Sequence, residues 1–446
     1  MASLTALELT PGRLWIWGIR SCISLIDQAL TSGSSFFLNV LLARWLAKEA
    51  YGAFGVCFAG FLFLAGFHNV LFIEPMTVIG PSCYPQRLPD YFAAQLKAHM
   101  MLVGALSAVG ILVAVALGLA HLQSAVVAVT LAGGVSIPFI LLLWLTRRMC
   151  YVVQAPLIAA QGSGAYSIVL IAGTFELRRL EWLTPSTAFL WMAFASFFVS
   201  LFILRRLGVF ATFRSTGKSL GLQQLLKENW GYGRWLTLTT ALSWISVQVQ
   251  TFLAASLLGL AAAGALRAMQ LPSLALTQVI AATTVLVLPS MSQELGRGNM
   301  VRLRQKAVLT SIFLASVGIV FVAGLFGFAE PIEKLLFGEK YLVWTWLIPV
   351  LGLVPIFTGV ASSLSLALRA LRRSQFELLA YVASASVALF VGLCLMPGWG
   401  LTGAAASIVL STAVLAIAVV VCFLKWGTVE ASFVAVHTKC EVYESE

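Results

Sequence analysis

Twelve apolar stretches, each about the length of a bilayer-crossing helix, constrain this chain more than any motif does. They lie near 21–42, 53–78, 98–120, 125–146, 152–174, 185–204, 236–258, 264–289, 307–328, 344–368, 378–396 and 401–424. Roughly 20 predominantly apolar residues carry a helix across the hydrocarbon core. In lipid, only helices and closed barrels pair all of their own backbone polar groups. Hydrophobic residues make up 60% of the 446 and charged residues only 10%, against about 25% charged in soluble domains. The first stretch is too long, and too polar at its start, for a cleaved signal peptide, and no small-residue cleavage site follows it. The expected fold is an all-α polytopic membrane protein.

Charge placement supports the count of twelve. If the N-terminus is cytoplasmic, most of the 28 Lys and Arg residues fall in inner connections, among them Arg147, Arg148, Arg205, Arg206, Arg369, Arg372 and Arg373. The outer connections hold Arg44, Lys48, Arg178, Arg179, Lys334 and Lys340, and Arg267 lies within a span. This bias satisfies the positive-inside rule with both termini cytoplasmic. The net charge of +11 is therefore a topology signal that needs no nucleic-acid partner, and the basic face suits anionic membrane lipids.

The layout is also written twice. Leu41–Phe54 (LLARWLAKEAYGAF) aligns without gaps to Leu253–Leu266 (LAASLLGLAAAGAL), each closing one apolar segment and opening the next, with a turn expected at Gly52 and Gly264. Six spans separate the copies, so the halves run in the same direction as a parallel repeat, an arrangement that puts a substrate path between them. The expected units are a six-helix half over 1–206, a linker over 207–235, a second six-helix half over 236–426, and a polar cytoplasmic tail over 427–446. Within the linker, Leu222, Leu225, Leu226 and Trp230 have helical spacing, and the segment reads as an amphipathic helix lying on the inner leaflet.

Enzymatic work is not expected. The outer connections are short, the longest around Glu330–Tyr341, and no DxD, HExxH, CxxC, GxSxG or P-loop pattern is present. His68, His99, His121 and His437 do not cluster, and no metal-ligand or cofactor spacing occurs. Polar residues instead concentrate on the first two spans of each half. Asp27, Thr31, Ser35 and Asn39 recur every four residues on the first span, and Thr240, Ser243 and Gln250 stripe the seventh. The second adds His68, Asn69 and Glu74; the eighth adds Arg267, Gln270 and Gln278. These faces are read as a central cleft shared by both halves, although Ser and Thr equally suit helix–helix contacts in lipid. An ionisable group inside a membrane is costly and marks function by default, so Asp27 stands out, either as an ion site or as a structural partner of Arg20. Glu74 reads as a second ion-coupling group or an interfacial carboxylate, and His68 as cleft or packing.

At four places in order the chain resembles the polysaccharide flippases of the multidrug/oligosaccharidyl-lipid/polysaccharide (MOP) exporter superfamily. These are LLARWLAKEAYGAFGVCFAGFLFLAGF, GLAAAGALRAMQLPSLALTQVIAATTVLVLPSMSQ, EPIEKLLFGEKYLVWTWLIPVLGL and GWGLTGAAASIVLSTAV, spread over nearly the whole chain. IEPMTVIGPSCY further resembles a branch associated with lipopolysaccharide and exopolysaccharide assembly. The resemblance implies two six-helix bundles around a central cleft in a bacterial inner membrane. It implies a polyprenyl-diphosphate-linked oligosaccharide as cargo, moved from the inner to the outer leaflet, with H⁺ or Na⁺ as a coupling ion and polysaccharide polymerase or assembly proteins as partners. By analogy with lipid II flippases, Arg267 on the eighth span matches a diphosphate-binding arginine and Arg20 an entry contact, whereas the second span lacks the arginine those proteins have. By analogy with the drug exporters, Asp27 would bind the coupling ion. Two other readings stay open: a drug:cation antiporter of the same superfamily, and a non-transporting scaffold for glycan-assembly enzymes.

Overall fold

The computed structural model describes residues 11–120, 124–209, 221–297, 299–371 and 374–426. Twelve long helices follow one another. They are α1 (Pro11–Trp45), α2 (Lys48–His68, a π-helical stretch Asn69–Ile73, then Glu74–Cys83), α3 (Leu88–Leu119), α4 (Ser124–Val152), α5 (Pro156–Arg179) and α6 (Pro185–Arg206). The second set is α7 (Leu222–Leu257), α8 (Leu260–Gly296), α9 (Met300–Phe337), α10 (Leu347–Leu351 and Val354–Ala370), α11 (Ser374–Trp399) and α12 (Leu401–Trp426). Among the described residues, nine of them are long and apolar enough to cross a membrane. The other three, α1, α7 and α8, have the length, at 35, 36 and 37 residues, but carry polar faces. The protein is a multi-pass membrane protein.

Helix ends follow local chemistry. Pro185 opens α6 at a position where no amide hydrogen bond is lost, and the Thr184 hydroxyl accepts from the Thr187 amide in a reciprocal capping box. Gly338, left-handed at φ 68°, closes α9 at Phe337, so the connection expected around Glu330–Tyr341 is mostly helix.

The helix neighbours repeat. Within the first half α1 packs on α5, α3 on α4, and α4 on α6; within the second, α7 packs on α11, α9 on α10, and α10 on α12. Across the halves α2 lies on α8, while α1 meets α8 and α2 meets α7. The end of the bundle where α1 begins is called proximal here, and the end where α1 finishes distal. Gly52 and Gly264 are not the expected turns. They sit one turn inside α2 and α8, where a Cβ on either would run into the other helix's backbone, at Leu260 and Lys48. The repeated glycines are thus a helix–helix contact that only a missing side chain permits. The turns themselves are at Leu46–Ala47 and Leu258–Gly259.

The distal core is shared: Leu38, Leu42, Tyr51 and Phe54 of the first half join Ala263, Leu266, Leu347 and Ile348 of the second in one cluster. Proximally the cores separate, one holding Phe72, Met76, Tyr91 and Leu145, the other Leu303, Ala367, Leu415 and Val419. The halves share one core distally and have separate cores proximally, where the start of α7 nonetheless packs on α2 and α3. The amphipathic segment 222–230 forms the start of α7, with Leu226 and Trp230 exposed on one face. Leu225 is buried in the proximal core of the first half, Glu228 accepts from the Tyr84 hydroxyl at 2.9 Å, and Asn229 pairs with Gln95. Its other face is thus held by Tyr84, just past α2, and Gln95 of α3. Linker residues 210–220 and the tail 427–446 lie outside the described residues.

Candidate functional site

Asp27 lies in the proximal half of α1, 1% exposed, with its carboxylate turned into the first half. Arg147 of α4 donates to Oδ2 at 2.6 Å, the Tyr151 hydroxyl donates to the same oxygen at 2.5 Å, and the Ser163 hydroxyl of α5 donates to Oδ1 at 2.5 Å. Thr31, one turn on, donates to Ser163 Oγ at 3.1 Å. The partner of Asp27 is therefore Arg147 and not Arg20, whose guanidinium donates to Gln154 at 3.1 Å. In sequence Arg147 reads as a topology charge. Its place one turn before Tyr151, on a helix apolar for six turns, is the signal that could have singled it out.

One residue round from Asp27 and Thr31, α1 presents a different face. Gln28 donates to Ser32, and Ser32 donates to Gln278 of α8, both at 3.2 Å and exposed. This hydrophilic contact bridges the halves. Its repeat counterpart is the approach of Thr240 on α7 to Gly66 on α2, where a Cβ at Gly66 would lie 2.7 Å from the Thr240 methyl. Farther along α7, Gln250 donates to Ser407 of α12 at 3.5 Å, and Ser246 bonds Ser384 of α11 at 2.5 Å. These α7 groups therefore bind within their own half, as Asp27 and Thr31 do. Ser243 donates to the Thr240 carbonyl, and Ser35 and Gln270 are part-exposed.

Arg267 is buried near the distal end of α8, 5% exposed, between the halves. Nη2 donates to Asn39 Oδ1 at 3.3 Å, and the guanidinium lies 4.9 Å from the Phe58 ring centroid. Tyr51 donates to the same Asn39 oxygen at 3.5 Å. Among the described residues no carboxylate pairs with Arg267, and its Nε has no partner. Gly55 makes the room: a Cβ there would sit 2.7 Å from Arg267 Cδ. Gly55 and Arg267 are equivalent positions of the repeat, three residues beyond Gly52 and Gly264, so the two-fold pairs an absent side chain with a long one.

At the proximal mouth, Glu74 accepts from Asn69 at 2.9 Å and lies within electrostatic reach of Arg148 on α4 and Arg369 on α10. Arg369 grips Glu377 with two bonds of 2.6 and 2.7 Å. Arg148 and Arg369 are thus exposed arginines on equivalent helices of the two halves. His68 is fully buried against His99 rather than facing a cleft, with Nε2 3.0 Å from His99 Nδ1.

The distal end is strapped. Lys340, in the α9–α10 connection, donates to the Ala43, Arg44 and Leu46 carbonyls at the end of α1, and Arg44 donates to the Leu335 carbonyl at 2.8 Å. An ammonium on the last carbonyls of a helix is favoured by its dipole. Burial, with Lys48 and Arg178 nearby, lowers the Lys340 pKa from its ordinary value, and Glu49 opposes the shift. Lys48 stands over the Trp344 ring at 4.8 Å.

Residues 187–346 match a family model described as polysaccharide biosynthesis protein. No curated protein sequence matches the chain closely enough to count as a relative. Among solved structures, an inward-facing multidrug resistance MATE family transporter of the MOP superfamily superposes with a TM-score of 0.70 at 13% identity, covering 91% of this chain and 97% of that one. The lipid II flippase MurJ in an inward closed conformation gives 0.70 at 14%, covering 91% and 87%. A MOP superfamily transporter from Pyrococcus furiosus gives 0.65 at 16%, covering 92% and 94%. The repeat of six helices, the seam between α2 and α8 and these superpositions agree: the chain has the fold seen in these MOP superfamily transporters, and its residues 187–346 match the polysaccharide biosynthesis family model.

Proposed function

We propose that the protein carries a polyprenyl-diphosphate-linked oligosaccharide from the cytoplasmic to the outer leaflet of a bacterial plasma membrane by alternating access, with the proximal end cytoplasmic. The observation that carries this reading is Arg267. A guanidinium buried without a carboxylate is costly in a low-dielectric interior, and a diphosphate is the partner that guanidinium geometry matches best. Its neighbours Asn39, Tyr51 and Phe58 belong to the other half, so an anion reaching Arg267 would compete with the contacts that close the distal end. Arg148 and Arg369 at the mouth are the first cations such a headgroup would meet, and the Gln28–Ser32–Gln278 chain offers sugar hydroxyls exchangeable hydrogen bonds.

The drug:cation antiporter reading fits less well, because Asp27, the carboxylate a cation would need, already holds Arg147. We read Asp27 as tying α1 to α4 and α5. The test is a leaflet assay in a strain lacking the protein, with an impermeant glycosidase reading the outer-leaflet intermediate. Wild type on a plasmid is expected to restore exposure, and Arg267→Ala to leave it at least about tenfold lower at equal protein level. Unchanged export by Arg267→Ala would overturn the assignment of that residue; no effect of the wild-type gene would overturn the function.

A further inference from the structure

His68 on α2 and His99 on α3 form a buried dyad in which the structure dictates every proton. His99 Nε2 lies 3.3 Å from the carbonyl of Pro138 on α4, and a carbonyl only accepts, so that nitrogen carries hydrogen. In the neutral ring His99 Nδ1 is then an acceptor, and His68 Nε2, 3.0 Å away, must donate to it. His68 Nδ1 is left as a bare basic nitrogen, buried and without a hydrogen-bond partner. Both residues are no more than 1% exposed. Packing alone does not ask for two imidazoles in series ending on an unsatisfied lone pair.

The backbone is irregular at the same place. His68 is the last residue of the regular helix, and the π-helical turn Asn69–Ile73 starts immediately after it. The Asn69 carbonyl accepts from the Glu74 amide across that wide turn, while the Asn69 side chain donates to the Glu74 carboxylate. Single π-turns inside α-helices concentrate at functional sites and mark a point where the helix can change register. The His68 ring stacks on Phe72 within the turn, with centroids 5.3 Å apart.

We infer that the His68–His99 dyad is the proton-binding site of the transport cycle, taking up one proton at His68 Nδ1. This rests on the transporter reading above and names its coupling ion. The titratable group facing His68 is His99; the charged side chains carried by the surrounding elements are Lys48, Glu49 and Glu74 on α2, Asp90 and Lys97 on α3, Arg147 and Arg148 on α4, and Lys227, Glu228 and Arg234 on α7. Protonation leaves the Pro138 and His99 bonds in place and puts a positive charge on the ring beside the π-turn. A buried imidazolium with no counter-ion is costly. The conformer described here therefore holds the dyad neutral, and the charged dyad favours one in which the turn rearranges and exposes His68 to water or to Glu74. Differential proton affinity of the two conformers is all that coupling requires.

The chain has four histidines, so the full-length protein in lipid nanodiscs, labelled with ¹⁵N-histidine, yields a tractable spectrum. With His121→Asn and His437→Asn as background, two hydrogen-bearing Nε2 and two bare Nδ1 signals are expected at pH 8. A single Nδ1 protonation shared by the two rings is expected as the pH falls to 5. In proteoliposomes, a gradient of one pH unit is expected to shift the leaflet ratio of lipid-linked oligosaccharide about tenfold for one coupled proton, and His68→Gln and His99→Gln to abolish that shift. A dyad that takes up no proton while wild type still follows the gradient overturns the inference, as does either variant retaining the shift. If the dyad titrates but wild type moves no oligosaccharide, the proposed cargo fails and the proton site stands.

Discussion

Replacing Asp27 with alanine removes, in one step, the acceptor for Arg147 at 2.6 Å and for the Tyr151 and Ser163 hydroxyls at 2.5 Å each. The Arg147 side chain is only 12% exposed, so its guanidinium cannot regain water unless α4 moves. Removing one partner of a buried ion pair costs about 3–5 kcal/mol, and the residual exposure of Arg147 favours the lower end, about 3 kcal/mol. For a unit the size of one six-helix half, each kcal/mol moves Tm by roughly 2–4 °C, which gives a fall of roughly 6–12 °C. Asp27→Asn keeps an acceptor for one or both hydroxyls and is expected to lose about half as much. Asp27→Ala/Arg147→Ala removes both charges and is expected to recover most of the loss, a coupling of about 2 kcal/mol. Tryptophan-fluorescence melting of purified protein reads these values. If the single and double variants melt together, the pair does not hold the half in the way argued. Export separates the roles: a tether regains export in the double variant with its stability, whereas an ion site at Asp27 stays dead.

Gly52→Ala and Gly264→Ala each drive a methyl into the facing backbone, so each is expected to cost about 1–3 kcal/mol or more and to lower the yield of folded protein. Near-normal yield and melting for either would mean that the α2–α8 seam is looser than described. Lys340→Gln leaves carbonyls of Ala43, Arg44 and Leu46 short of donors, at about 1 kcal/mol per lost bond. A cysteine at Ala43, fully buried here, is then expected to react faster with a soluble maleimide; an unchanged rate would show that the strap does not govern distal opening. Gly55→Leu fills the space of the Arg267 stem and is expected to reproduce the export defect of Arg267→Ala, and full export would refute the fit.

Much of the architecture was legible because lipid imposes it. Apolar length and alternating charge bias reveal the twelve helices, and the Leu41–Phe54 repeat reveals the two-fold. Spacing also identified polar faces, but it could not say which neighbour each face meets. On α1, Asp27 and Gln28 are adjacent letters about 100° apart on the helix. One is buried against Arg147, and the other bridges toward α8. That choice depends on which helix lies alongside, information carried by tertiary packing. The same holds for Gly52 and Gly264, whose letters suit a turn as well as a crossing. The dyad escaped because His68 and His99 lie on different helices, and Arg148 and Arg369 because loop-end cations first read as topology.

The polar bonds sort by location, and the sorting bears on how the halves can move. Asp27–Arg147, Thr31–Ser163, Ser246–Ser384 and Gln250–Ser407 all lie within a half, where they tie neighbouring helices of each bundle together. Bonds between halves fall into three sets, one of them made by α7, where Trp244 donates to the Ala59 carbonyl of α2 at 2.8 Å and Glu228 and Asn229 bond Tyr84 and Gln95. At the distal end lie the α2–α8 glycine seam, the part-exposed Lys340 strap and the buried Arg267–Asn39 contact. At the α1–α8 crossing, the Ser32–Gln278 bond is exposed and can be exchanged for water at little net cost. Rotation of one half against the other therefore meets little resistance from that crossing. The distal contacts and those of α7 on α2 and α3 oppose it, and the one buried cation lacking a carboxylate among the described residues, Arg267, belongs to the distal set.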